Sequence, residues 1–339
     1  MGKTSVIGLD IGSTSVRAVE TDQERGGAVV TAVGEVPLAP GAVQAGVIQD
    51  EGAVTDAVRR LRASAPLRAK NTVLGLTSAQ TVVREMTVAN LPRKEMRTSL
   101  PFQVGDMLPL PVDRAVLDFL PLETSDRDTV RGLLVAAPKA STLSAVTAVE
   151  AAGLTVTRVD LASLALIRAL AQVDGEAEAI VDIGAQLTQV IVQIDGQPLI
   201  VRTIPRGGAE VTTAVANRLR VETEEAEQLK RQIGLNREQN AEVADAVNEA
   251  IRPLMNEIRG SFAYLTAGGS AAEVARLVLS GGASLLQGLR WALADQLDIP
   301  VHAADLFRRL RGYRGENVGD TAPSPSCAIA VGLTLGGAR

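Results

Sequence analysis

The chain has 339 residues, 46% of them hydrophobic and 22% charged, enough for two ordinary domains and too mixed for a fibre or a disordered tail. With 34 Lys and Arg against 39 Asp and Glu, the formal net charge is −5, which provides no general attraction to nucleic acid or anionic lipid. One cysteine, Cys327, and one histidine, His302, exclude an internal disulfide and a cysteine- or histidine-built metal cluster, and no nucleophile-elbow sequence accompanies His302 as a hydrolytic base. The seven aromatic residues, four Phe, two Tyr and one Trp, are too few for base-stacking platforms. Met1 to Leu9 lacks the basic and apolar regions of a secretion signal, and no uncharged apolar stretch reaches about 18 residues, so a soluble cytoplasmic protein is expected.

In chain order, Val6 to Gly12 is an apolar run ending in Asp10-Ile11-Gly12. A turn of small hydroxyl residues follows, then a second β-rich run, Val16 to Glu20. The spacing predicts a hairpin, joined by a third run at Ala28 to Val36 and a helix over Glu51 to Ala63. Thr72 to Thr77 reads as a strand. Arg84 to Glu123, richer in Pro and charge, reads as an inserted subdomain. Gly132 to Ala137 is a strand, Ser141 to Ala152 a helix, Thr155 to Val159 a strand and Leu161 to Ala171 an Ala/Leu helix.

The opening pattern then returns. Ala179 to Gly184 repeats the apolar run with its Asp182-Ile183-Gly184 ending, Thr188 to Ile194 and Pro198 to Ile204 repeat the next two strands, and Gly208 to Arg218 repeats the helix. This is the mark of an internal duplication, two related α/β domains. Thr223 to Ile233 is a charged helix. Val243, Val247, Ile251, Leu254, Ile258, Phe262 and Leu265 form one stripe of a long helix, which Pro253 is predicted to bend. Leu277 to Leu279 is a strand, Ser280-Gly281-Gly282-Ala283-Ser284 a turn leading to a helix over Leu285 to Gln296, and Pro300 to His302 a short strand. Arg308 to Ser326 reads as a loop before a final helix, Cys327 to Leu335.

The turn Gly12-Ser13-Thr14-Ser15 lets backbone amides and hydroxyls approach a phosphate closely. Asp10 and Asp182, one at each hairpin, would hold the water shell of a magnesium ion across a cleft. Either Asp-x-Gly alone is equally an ordinary hairpin turn. The third element, with Gly281, Gly282 and Ala283 between strand and helix, makes the combination point to a nucleotide. Glu227 and Lys230 share a helix face and could bond a ribose and an adenine edge, or form an exposed ion pair. Gly2-Lys3-Thr4 is not a P-loop, because the glycine it requires would precede the chain's first residue, and no dinucleotide fingerprint opens a helix.

With these motifs laid out, the sequence resembles the actin, sugar kinase and heat-shock chaperone superfamily and, within it, the PilM family of type IV pilus assembly proteins. Gly8-Leu9-Asp10-Ile11-Gly12-Ser13-Thr14-Ser15-Val16-Arg17 is similar to that family's phosphate-1 loop, Val181-Asp182-Ile183-Gly184-Ala185 to phosphate-2, and Leu279-Ser280-Gly281-Gly282-Ala283 to the adenosine loop. Val116-Leu117-Asp118-Phe119, Leu134-Val135-Ala136-Ala137 and Ala328-Ile329-Ala330-Val331-Gly332-Leu333 also resemble family motifs. The resemblance implies an actin-like α/β fold of duplicated ribonuclease H-like domains: a first lobe (1A) at 1–78 and 159–176, an inserted FtsA-type 1C subdomain at 79–158, and a second lobe (2A) at 177–339 with a 2B insertion near 216–270.

It further implies ATP and Mg2+ bound between the lobes, by Gly12, Ser13, Thr14, Ser15, Arg17, Gly184, Ala185, Glu227, Lys230, Gly281, Gly282 and Ala283, with Asp10 and Asp182 on the metal's waters. Leu100, Leu117 and Phe119 are the candidate walls of a groove for the cytoplasmic N-terminal peptide of PilN. The implied protein is an adaptor at the inner face of the cytoplasmic membrane, without direct insertion, linking a PilN and PilO complex to the pilus motor platform. Ser141 to Ala152 offers no Gln, Asp or Glu before Glu150, and Ala185 stands where an acid would help, so hydrolysis is expected to be slow or absent. Phe102-Gln103-Val104-Gly105-Asp106 departs from the family's acidic helix. An FtsA-type membrane anchor is disfavoured because the sequence ends at Arg339. Other readings are an ATP-dependent small-molecule kinase of the same superfamily and an actin-like filament or division protein.

Overall fold

In a computed structural model describing residues 4–123, 128–267, 272–314 and 323–336, the N-terminal runs form an antiparallel meander. Its strands are β1 (Thr4–Ile11), β2 (Ser15–Glu24) and β3 (Gly27–Pro37). A two-residue ladder follows, β4 (Val43–Gln44) with β5 (Val47–Ile48), and then α1 (Glu51–Ser64), whose first turn is capped where Ala53 N donates to Asp50 Oδ1 at 2.9 Å. β6 (Asn71–Leu76) adds parallel to β1. The insertion supplies β7 (Val82–Ala89), α2 (Arg93–Val104), β8 (Ala115–Glu123) and β9 (Thr129–Pro138), whose strands make a separate sheet in the order β7-β9-β8. α3 (Lys139–Ala151), β10 (Thr155–Leu161) and α4 (Ala162–Leu170) lead into the second half.

There the meander recurs as β11 (Ala177–Ile183), β12 (Thr188–Ile194) and β13 (Gln197–Ile204), followed by α5 (Gly208–Leu219), α6 (Thr223–Ile233), α7 (Ala241–Ala267), β14 (Val274–Ser280), α8 (Leu289–Leu297), β15 (Val301–Ala303), β16 (Leu310–Tyr313) and α9 (Ala328–Thr334). The sheet orders expose the duplication. The first sheet runs β10-β6-β1-β2-β3-β16 and the second β13-β12-β11-β14-β15, so a central strand carries an antiparallel hairpin on one side and a parallel pair on the other in both copies. β11 is buried along its whole length, as a strand covered on both faces must be, and its sequence is accordingly apolar rather than alternating.

α4 and α9 lie between the two sheets. Their core joins Val19 and Val73 of the first sheet to Ile180, Ile191 and Val278 of the second through Ala165, Leu166, Ile329 and Leu333. The approach is closest at Gly332, where a Cβ would stand 1.8 Å from the Ala165 carbonyl oxygen, and at Gly8, where it would stand 2.0 Å from that of Ala330. Small residues are therefore obligatory here, because any side chain would push the two backbones apart.

Four expectations from the sequence need correction. The segment expected as a loop at Arg308 to Ser326 contains β16, which pairs parallel to the free edge of β3; residues 315–322 of that segment lie outside the described residues. β16 and α9 fall within 177–339, yet both join the first sheet, so the last elements of the chain complete the first lobe. α3, placed in the insertion at 79–158, packs against α1 and β10 instead. The helix expected from Leu285 begins at Leu289, because Gly288 takes a left-handed conformation (φ 84) against Leu235, and a 3-10 turn occupies Gly282–Leu285. Pro253 sits inside α7, which continues through it.

Candidate functional site

The two hairpin turns are built alike. Ile11 faces Val16 and Ile183 faces Thr188 across the last rung of each ladder. The intervening residues close by the same bond, Gly12 N to Ser15 O and Gly184 N to Leu187 O, each 2.9 Å. The aspartates stand one residue before these rungs, Asp10 opposite Arg17 and Asp182 opposite Gln189. The third strand continues the correspondence, with Arg17 facing Glu35 and Gln189 facing Thr203. The first copy fills this row with an ion pair, Arg17 Nη2 to Glu35 Oε1 at 2.8 Å. In the second copy Gln189 Nε2 donates to Thr203 Oγ1 at 3.0 Å.

Both aspartates are buried, at 6% and 7% exposure, and the charge of Asp10 acts on Asp182. Burial pushes the Asp182 carboxyl up to about 7, and the Asp10 charge adds to the rise, against the Ser280 hydroxyl and the Arg17 guanidinium. Asp10 is raised by burial as well, with Arg17 opposing. Arg17 is thus the counter-ion of the cleft. Its Nη1 lies 3.9 Å from Asp10 Oδ2 and 3.6 Å from a Cβ built on Gly12, while Nη2 lies 4.0 Å from one built on Gly282. The guanidinium therefore spans the space between the first turn and the Gly281-Gly282 turn, already engaged with Glu35 rather than free. Its Nε is buried without a partner, as is the Ser15 hydroxyl. Ser13 is half-buried and Thr14 exposed.

On the opposite wall, Gly281 (φ 85) lies so close to the second hairpin that a Cβ there would meet Ile183 O at 2.4 Å. The start of α5 docks on the second turn, with Gly208 N donating to Gly184 O at 2.9 Å and Ala209 N to Ala185 O at 2.8 Å. A Cβ on Gly208 would lie 3.3 Å from the Ala283 Cβ and 3.5 Å from Lys230 Nζ. Gly184, Ala185, Ala283 and Lys230 thus converge on Gly207-Gly208, a pair the sequence reading treated only as a helix start. The signal was present: two glycines between a strand and a helix, as at Gly281-Gly282. α5 begins without a side-chain cap, and its first amides, those of Gly208, Ala209 and Glu210, are taken by the carbonyls of Gly184, Ala185 and Gly207, which braces this corner.

Glu227 and Lys230 are not a fully exposed ion pair, since Lys230 is buried and Glu227 half-buried. Lys230 is buried, and its Nζ donates to Thr212 Oγ1 at 2.8 Å, to Gly208 O at 3.2 Å and to Glu227 Oε2 at 2.5 Å. Burial pushes the Glu227 carboxyl up, but Lys230, Thr212 and Arg231 outweigh it and hold the group below the usual carboxylate value. The pair locks α6 to α5 behind the corner. Of the candidate groove residues, Leu100 is buried while Leu117 and Phe119 are half-buried. Leu100, 2% exposed, is in the core of the inserted subdomain, with Leu117 and Phe119 packed against it, because a subdomain of three strands and one helix needs its few large apolar side chains inside. The large apolar side chains this subdomain leaves outside are Phe102, Met107 and Val116, at 88%, 55% and 43% exposure. Among the described residues no group of three or more Asp, Glu, His or Cys is placed to hold a metal, so a cation here would rest on the two aspartates, waters and a ligand's oxygens.

The chain was compared with known proteins. A family model described as type IV pilus assembly protein PilM matches residues 8–338. The cell division protein FtsA of Bacillus subtilis is 24% identical over 257 residues, covering 67% of this chain and 58% of that protein, so the match spans little more than half of the relative's length. Among solved structures, a PilM-PilN type IV pilus biogenesis complex superposes with a TM-score of 0.87 at 24% identity, covering 97% of both chains. MreB5 of Spiroplasma citri bound to AMPPNP superposes with a TM-score of 0.56 at 12% identity, covering 98% of this chain and 95% of that one. These likenesses show an actin-like fold.

Proposed function

The chain belongs to the PilM family of type IV pilus assembly proteins, and from that premise we propose that it is a nucleotide-binding adaptor of a type IV pilus or related assembly machine. The observation that carries the nucleotide part is the pair of matching Asp-x-Gly turns brought near each other, with the Asp10 charge acting on Asp182 and Arg17 reaching to Gly282, and with the Gly281-Gly282 turn and the start of α5 packed on the second turn. Arg17, whose Nε is buried without a partner, and the unpartnered Ser15 hydroxyl offer donors to a polyphosphate at the first turn. Asp10 and Asp182 fit a cation's water shell, since two buried carboxylates, both raised by burial, share one guanidinium as counter-ion. Magnesium bound there would supply neutralisation of the phosphate charge. The likeness to AMPPNP-bound MreB5 supports ATP as the ligand.

The partner is read from the likeness to the PilM-PilN complex: the cytoplasmic N-terminal peptide of a PilN protein, held near the inserted subdomain. A PilN and PilO complex would then link the adaptor to the motor platform and place it at the inner membrane face. No described helix is long and apolar enough to cross a membrane. We take hydrolysis to be slow. α3 carries no acid or amide before Glu150, and the amide of the second turn, Gln186, is occupied by a backbone bond to Ala45.

Two measurements test this reading. Calorimetry should give a magnesium-dependent heat with AMPPNP, and a synthetic PilN N-terminal peptide should bind the nucleotide-loaded protein. Absence of peptide binding with nucleotide present would remove the adaptor role. Sugar-stimulated turnover near 1 per second or above, an ordinary enzyme rate, would replace it with a kinase.

A further inference from the structure

The two hairpin turns differ at one side chain that reaches across the cleft. Gln186 holds the place in the second turn that Thr14 holds in the first. Thr14 is exposed, whereas Gln186 Oε1 accepts the backbone N–H of Ala45 at 2.8 Å. Ala45 belongs to the other lobe, at the tip of the β4–β5 ladder. It is left-handed (φ 46), followed by Gly46 at φ 79, so the tip is a two-residue turn that favours Asn or Gly where alanine stands. A non-glycine residue kept in that conformation and bonded across a cleft marks a position the surroundings hold in place.

The same residue is tied on its other side. Ala45 O accepts Ala79 N at 3.2 Å, and the tip is seated so tightly that a Cβ on Gly46 would lie 1.8 Å from Thr77 O. Three residues after Ala79 the chain enters β7, the first strand of the inserted subdomain, which also packs beside β13 of the second lobe. One continuous line of contacts runs from the second turn through Gln186, Ala45 and Ala79 to β7.

Accepting the nucleotide reading above, we propose that Gln186 is the positioning residue that transmits occupancy of the second turn to the inserted subdomain through the backbone of Ala45. A ligand that tightens the Gly184-Ala185 turn fixes Gln186, fixes Ala45, and thereby sets the base of the sheet on which a partner peptide would dock. Gln186 is the one side-chain link of this route, since its remaining links are backbone contacts within the first lobe, and the packing of β7 beside β13 is a separate contact that Gln186 does not make.

The test is hydrogen exchange followed by mass spectrometry on the full chain. It is run with and without Mg2+ and AMPPNP, at concentrations that calorimetry shows to saturate each variant. In the wild-type protein nucleotide should slow exchange in both 43–48 and 82–89. In Gln186→Met, which keeps the length and removes the acceptor, exchange in 43–48 without nucleotide should rise about tenfold, and the response of 82–89 should vanish. Gln186→Glu, which keeps an acceptor, should restore that response. A Gln186→Met protein whose 82–89 response equals the wild type overturns the inference while leaving nucleotide binding intact. A wild-type protein that gives no heat with AMPPNP overturns the nucleotide reading, and the coupling with it.

Discussion

Arg17 and Gln189 occupy the same position in two copies of one hairpin, each directly across the ladder from a buried aspartate, and only the first is charged. A site assembled from two equal halves would set two carboxylates against each other with nothing between them. Placing the cation in one half lets that guanidinium serve both, because it lies in the cleft between the first turn and Gly282. The neutral bond from Gln189 to Thr203 keeps the other half rigid without a second positive charge.

Arg17→Gln makes the halves alike and removes the counter-ion. The fold should survive at a cost of about 2 kcal/mol, below the full cost of an uncompensated buried charge because Asp10 can take up a proton. AMPPNP affinity should fall at least about tenfold, with a steeper dependence on magnesium concentration. Urea unfolding and calorimetry measure the two effects.

Asp182→Asn separates stability from binding. The Asp182 carboxyl is raised from 3.8 to about 7 in the folded chain, so the folded state holds a proton there that the unfolded state releases, and stability falls as pH rises between these values. The amide variant carries no such charge. It should be more stable than wild type without nucleotide at pH 8, by up to about 4 kcal/mol, and the difference should close below pH 4. Magnesium-dependent AMPPNP affinity should be lost at every pH. Paired urea titrations from pH 4 to 8 give the first curve and calorimetry the second.

Lys230→Met keeps most of the side-chain volume and deletes three bonds, two that join α6 to Gly208 and Thr212 of α5 and one to Glu227 within α6. Glu227 stays partnered by Arg231 at 2.7 Å, so the loss of stability should be modest, about 1–2 kcal/mol. Nucleotide affinity should drop about tenfold, because the Gly207-Gly208 corner loses its backing. Thermal unfolding with and without AMPPNP reports both.

In the inserted subdomain, Leu100→Ala should cost about 2–4 kcal/mol through the cavity it leaves, whereas Phe102→Ser, two residues away and 88% exposed, should change stability by less than about 0.5 kcal/mol. Equal effects from the two would contradict the division between core and surface made here. Differential scanning calorimetry distinguishes them.

The sequence made the paired hairpins readable because both signals are local: an apolar run, an Asp-x-Gly ending, and a second run at fixed spacing. The order in which those units recur makes a duplication of two α/β domains readable, and the actin-like plan came from the resemblance of their motifs to a known superfamily. What it left hidden depends on distant partners. Leu310 to Tyr313 become a strand only because the edge of β3 stands open beside them. Arg17 looked like a free phosphate ligand because its engagement with Glu35 exists only in the β2–β3 register. Glu227 and Lys230 share a helix face as expected, but which way that face turns is decided by Thr212 and Gly208 on another helix. Gly207-Gly208, two glycines between a strand and a helix as at Gly281-Gly282, is legible in the sequence by the same argument.

The route of the chain also has a temporal consequence. β16 closes the edge of β3, and α9 covers β1 and β6, so the half synthesised first is sealed by the segment synthesised last. A nascent chain emerging from the ribosome carries an open strand edge and a bare apolar sheet face until residue 334 is free, a state prone to mispairing. The second half, from β11 to β15, has no such wait for its strands. Order of synthesis and order of completion therefore run in opposite directions in this molecule.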